Sequence, residues 1–270
     1  MNEIARNPEF DKLVSLIQEL ETELADLVHD RDILIYHTCP KLQTEYMLKI
    51  GKVEYAIFEL HCKILRTKRK IEIIQAFLNR EQKYNIVEIE EQLDKEHHEY
   101  TEKLLEKQQE IEKARLKNSS FGEPLTAEEL AELKKLYTQI VKKLHPDINP
   151  DTTEEQHGQF NDAVNAYKRA DLSELRIIFL LLEKTSFTKT TSSMEKLITR
   201  KEILLKEKEY LKKEIQKIKE IFPYNVQDLL QNEDKLQSKV DELSNILTEF
   251  HKQYNELEQR LEAMIKSTNE

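Results

Sequence analysis

ELKKLYTQIVKKLHPDINP, residues 132–150, starts as an amphipathic helix and halts at His145, Pro146 and Asp147. Leu130, Leu133, Tyr137, Ile140 and Leu144 recur at spacings of three and four, the period of one helical face. Lys134, Lys135, Lys142 and Lys143 lie away from that face. Within 130–144 only Glu132 opposes them, so the helix carries a local positive side suited to docking. Pro146 disfavours helical geometry at His145 and ends the helix there. Asp147, Asn149, Pro150 and Asp151 are turn formers. Upstream, LTAEEL (125–130) supplies a helix start, with Thr126 as N-cap, Glu129 completing a capping box, and Leu125 and Leu130 as a hydrophobic staple. Downstream, Thr152 with Glu155 forms a second capping pair. Phe160, Ala163, Val164 and Tyr167 then make a face that packs back on the first helix, and Leu172, Leu175, Ile178, Phe179 and Leu182 continue into a last short helix.

Outward from this segment the chain has the pattern of long helices. Of its 270 residues 35% are charged and 39% hydrophobic, with 3 Gly and 6 Pro. So few turn formers disfavour sandwiches, barrels and doubly wound sheets. Asn7 and Pro8 open a first helix, whose seam runs through Phe10, Leu13, Ile17, Leu20, Leu24, Leu27 and Leu34, with Arg31 in one slot. Pro40 is expected to break it. A second seam, from Tyr46 to Leu78, has Thr67 in one slot, and Asn85 with Glu88 caps a third helix. After the polar hinge at 184–193, a seam from Met194 to Phe222 holds Lys201 and Lys208, and Pro223 breaks it. Asn225 is then expected to cap a last helix running through Leu243, Leu247, Phe250 and Leu261. Short connections favour antiparallel neighbours. Arg31, Lys201, Lys208 and Glu233 in seam slots either specify register or mark places where packing is loose.

The fold expected is all-α, with long antiparallel coiled-coil helices flanking a small helical insert. The division is a three-helix antiparallel coiled coil over 1–117, the compact module over 118–188 and a helical hairpin over 189–270. A net charge of −10 argues against nucleic-acid and anionic-membrane partners. Arg66–Lys70 reads as a solvated basic face beside acids. Cys39 and Cys62 form no disulfide framework, and His97 and His98 point about 100° apart on a helix, so neither metal nor cofactor is expected. IIFLLL, at 177–182, is too short to span a bilayer. MNEIARNPEF lacks the apolar core of a signal peptide, and a reducing cytoplasm is expected. No phosphate loop, nucleophile elbow or paired carboxylates argue for an enzyme.

The segment ELKKLYTQIVKKLHPDINP, with QFNDAVNAY at 159–167, resembles helix II, the loop and helix III of a J-domain, the Hsp70-activating module of DnaJ-like proteins. Phe160, Ala163, Ala166 and Tyr167 match the family's spacing in helix III. The resemblance covers residues 126–184. It implies that His145, Pro146 and Asp147 trigger ATP hydrolysis by an Hsp70. It also implies that Lys134, Lys135, Lys142 and Lys143, with Tyr137 beside them, form the docking face. On that basis His145→Gln is expected to abolish stimulation with little effect on folding. The family's helix I has no counterpart ahead of Thr126, and the stretch from Leu104 to Leu116 is expected to take its packing role. The Gly/Phe-rich, zinc-binding and β-rich regions of DnaJ are absent from the sequence. The coiled coils would then hold a client or partner, or a second copy of the chain. The alternative is a coiled-coil scaffold or adaptor whose J-like fold no longer engages Hsp70.

Overall fold

The computed structural model describes residues 8–120, 125–184 and 194–269. Among them no strand occurs, and the chain is all-α. The helices are α1 (Pro8–Ile33), α2 (Cys39–Tyr46), α3 (Lys52–Asn79), α4 (Ile86–Glu96), α5 (His98–Ser120), α6 (Ala127–Leu144), α7 (Glu154–Lys168), α8 (Leu172–Lys184), α9 (Met194–Glu220), α10 (Gln227–Gln231) and α11 (Glu233–Asn269). The chain divides into two compact units, Met1–Pro40 with Gly122–Asn225, and Lys41–Phe121 with Val226–Glu270. The expected divisions near 117 and 188 are therefore not the limits of its compact parts.

The expected break at Pro40 does not occur. The backbone stays helical through it because a π-helical turn, Leu34–Thr38, precedes it. Proline lacks an N–H and crowds the carbonyl four residues back. A turn one residue wider loosens that crowding, and the Cys39 N–H reaches back to the Leu34 carbonyl. Without a reversal at Pro40, the helix that covers α1 comes from another part of the chain.

In the first unit that helix is α9. Glu21 lies 3.5 Å from Arg200, Lys208 bonds Glu23, and Arg31 lies 3.7 Å from Glu214. The numbers rise together, so α1 and α9 run parallel, a pairing the sequence left open. In the second unit Thr67 Oγ1 donates to Glu258 Oε1 at 3.0 Å and the His61 ring is 5.7 Å from Phe250. There α3 and α11 are likewise parallel. Arg31, Thr67 and Lys208, three polar interruptions of the seams, carry these interhelical contacts, as register-setting residues do. Within their units, α9 packs against α1 and α11 against α3.

The third helix of the sequence reading does fold back. It is split at His97 into α4 and α5, and it runs antiparallel to α3. Arg66 pairs with Glu90 at 2.5 Å and Asp94 at 2.8 Å, Lys70 with Glu90 at 2.5 Å, and Arg69 with Glu96 at 2.9 Å. The basic run 66–70 thus spends its charge on neighbouring acids. Beneath it Ile71, Ile74, Ile89, Leu93 and Leu261 form the core of this unit.

The caps follow local chemistry, with two shifts of position. The Asn85 side chain accepts from Val87 N–H, and Thr126 with Glu129 forms the expected capping box. The second box uses Thr153 and Gln156, one residue later than Thr152 and Glu155, because the turn extends through Asp151. The last helix starts after Asn232, whose Oδ1 accepts from Lys235 N–H at 3.0 Å, and not at Asn225. Asn7 and most of the 184–193 hinge lie outside the described residues. No helix among the described residues is long and apolar enough to cross a membrane.

Candidate docking site at the α6–α7 corner

In the first unit α6 and α7 pack antiparallel. The Tyr137 and Tyr167 rings stack at 4.0 Å and 17°, and the His145 ring meets Phe160 edge-on at 5.2 Å. Leu133, Ile140, Val141 and Leu144 join Ala163 and Ala166 in a core that α8 closes with Leu172, Leu175, Ile178 and Leu182. The same core takes Ile17, Leu20, Leu24, Ala25 and Val28 from α1, and Leu204 and Leu211 from α9. So α1, more than a hundred residues upstream, takes the packing role against α6 that was expected of the 104–116 stretch. The compact module assigned to 118–188 is completed by two helices outside those bounds.

Polar groups fix α1 on α6 and α7. The Tyr137 hydroxyl donates to Asp32 Oδ2 at 2.5 Å, while Arg31 holds Asp32 Oδ1 through Nε and Nη2 at 2.9 and 2.8 Å. The Tyr167 hydroxyl lies 3.1 Å from His29 Nε2. Burial and the Asp32 carboxylate push both phenols well above their ordinary range. Burial holds the imidazoles of His29 and His37 below theirs. His37 Nε2 is buried without a hydrogen-bond partner; His29 Nδ1 lies 3.5 Å from the Asp30 carboxylate, but burial outweighs that charge, and a second proton on either ring is unfavourable.

The eight predicted docking residues fall into two groups. Tyr137 is 0% exposed and belongs to the core, so it is not a surface contact in this structure. Its burial follows from α1, which the local sequence does not show. His145 is only 7% exposed. Its Nδ1 accepts from the Asp147 N–H at 3.2 Å, and its carbonyl accepts from the N–H groups of Ile148 and Asn149 at 3.0 and 2.8 Å. His145 therefore closes the turn from inside, and burial, partly offset by Asp147, holds its imidazole below the ordinary value. The expectation that His145→Gln would leave folding untouched does not suit a ring packed in this way. Asn149 donates to the Lys142 carbonyl at 2.8 Å and satisfies one of the last carbonyls of α6. Pro146 is half-buried.

Asp147 points outward, its side chain 48% exposed. Lys134 and Lys135 are exposed along α6. With Asp26, Ala131, Thr138 and Gln139 they line a shallow groove of about 300 Å³ between α1 and α6. Lys142 turns toward α1 and donates to Thr22 at 2.5 Å, and Lys143 Nζ sits 5.1 Å from the centre of the Phe179 ring. The sequence reading missed Glu207 of α9, whose carboxyl meets Asp147. Burial and the Asp147 charge push the Glu207 carboxyl up. No sequence spacing signals such a contact. No group of His, Cys, Asp and Glu among the described residues could hold a metal ion. Comparison with protein-family models, curated proteins and solved structures finds no match to this chain.

Proposed function

We propose that this protein is a J-like co-chaperone. It docks on an Hsp70 through the lysine side of α6 and the Asp147 corner and stimulates ATP hydrolysis by that partner. The observation that carries the reading is a closed helix–turn–helix corner in which buried His145 holds Asp147 outward at the end of a helix that exposes Lys134 and Lys135. In this reading His145 and Tyr137 position the corner, while Pro146, Asp147, Lys134, Lys135 and Lys143 make contact. The chemistry belongs to the Hsp70, and no acid–base role falls to this chain. The parallel helices of the second unit are then the place for a client or partner.

The experiment is a nucleotide-dependent capture. The immobilised full-length chain should retain its cognate Hsp70 in ATP and release it in ADP, and Asp147→Asn should abolish retention. Equal retention of Hsp70 by the wild type and Asp147→Asn would overturn the reading.

The burial of Tyr137 and His145 favours a second reading, a scaffold whose J-like corner serves only its own packing. A scaffold predicts a partner that survives Asp147→Asn and is lost with Leu243→Pro, which breaks α11 where Leu243 is buried.

A further inference from the structure

Helix α8 buries Leu175, Ile178 and Leu182. Its opposite side leaves Ile177 and Leu180 exposed at 59% and 56%, and residues three apart share one side of a helix. Two side chains join this side to the basic side of α6. Arg176 donates to both Glu132 oxygens at 2.7 and 2.6 Å, and Phe179 lies under Lys143. Lys134, Lys135 and Lys143 have no ion-pair partner among the described residues, whereas the basic run 66–70 is largely paired. An apolar strip beside unpaired cations is the pattern of a protein-interaction surface.

We infer that the Hsp70 surface docking on α6 extends onto α8, and that it sets carboxylates against Lys135 and Lys143 beside an apolar strip that covers Ile177 and Leu180. The inference rests on the co-chaperone reading above and names the chemistry of the partner at that site. The cations steer encounter, and the apolar strip slows departure. A lipid surface fits less well. Polybasic membrane sites carry about four to eight clustered cations. Here α6 offers Lys134, Lys135 and Lys143, three cations, on a chain of net charge −10.

The test titrates the full-length chain into its purified Hsp70 in ATP and reads steady-state hydrolysis against concentration. Ile177→Ser with Leu180→Ser removes the strip. Both side chains are largely exposed, so the thermal melt should stay unchanged. The expected result is a rise of about tenfold in half-maximal concentration with the same plateau, whereas Asp147→Asn gives no stimulation at any concentration. An unchanged half-maximal concentration beside a stimulating wild type would overturn the role of α8 and leave the co-chaperone reading standing. A wild type that does not stimulate would overturn both. Binding to phosphatidylserine vesicles that the double variant loses, with Hsp70 titration unaltered, would give the surface to a bilayer and overturn the inference.

Discussion

The Tyr137 hydroxyl donates a 2.5 Å hydrogen bond to Asp32, a residue 105 positions earlier in the chain. Both groups are buried, and Arg31 pairs with the other carboxylate oxygen. This contact joins the first helix to the helix–turn–helix that carries the candidate site. Removing Asp32 alone leaves a phenol and a guanidinium short of partners, and Asp32→Ala should cost about 3 kcal/mol. Tyr137→Phe leaves Arg31 on Asp32 and should cost about 1–2 kcal/mol. Urea unfolding of the two variants and their double mutant should show a coupling of at least about 1 kcal/mol. Additive costs would mean that the bond contributes nothing.

The core of the α6–α7–α8 segment is shared with α1 and α9. Isolated residues 118–188 would expose the side of Leu133, Tyr137, Ile140 and Val141 that Leu20, Leu24 and Val28 now cover. That fragment should show weak helicity and no cooperative thermal transition. In the full chain Leu24→Ala, at a fully buried site, should cost about 2–5 kcal/mol and loosen α6. Amide exchange across α6 reads the second effect.

Parallel pairing of α1 with α9 is open to distance measurement. Spin labels on Glu21→Cys with Arg200→Cys, and separately on Arg31→Cys with Glu214→Cys, should both report short separations, with Cys39 and Cys62 replaced by Ser. An antiparallel pair can bring only one of these couples together. The Glu21–Arg200 pair contributes little, about 0.5 kcal/mol, whereas Arg31→Cys also removes the partner of the buried Asp32 carboxylate, so that couple is labelled in an Asp32→Asn background.

Stability should fall on mild acidification. Burial holds His29 and His37 below their ordinary value of 6.5, so the folded state favours neutral rings. Below that value the unfolded chain takes up protons that the folded chain refuses. The contribution is fully present above about pH 6.5 and is lost as pH falls toward 5. Glu207 works in the opposite sense, since its raised carboxyl gains a proton more readily when folded. Urea midpoints between pH 8 and pH 5 should decline in the wild type. They should decline less in His29→Gln with His37→Gln.

Local chemistry was legible in the sequence where it stayed local. Thr126 with Glu129, Asn85, the stop at Pro146 and the turn from Asp147 to Asp151 all follow from neighbours within a few residues. The all-α class followed from scarce Gly and Pro and from the seams. Partnerships between helices were not legible, because a heptad seam names the face it buries and not the helix that covers it. Pro40 misled because a π-helical turn, which has no sequence signature of its own, carries the helix through it. Periodicity placed Tyr137 on the apolar face of its helix, where it is buried, while the resemblance counted it in the docking face. What periodicity did not name is its partner, the Asp32 carboxylate of α1.

The most direct measurement of the central claim is single-turnover hydrolysis by Hsp70 preloaded with ATP and mixed with this protein. The account predicts a several-fold faster burst with the wild type. It predicts the basal rate with Asp147→Asn, and unchanged melting of that variant, since the Asp147 side chain is 48% exposed. A wild-type rate no different from Hsp70 alone, at saturating concentration and with its cognate partner, would contradict it.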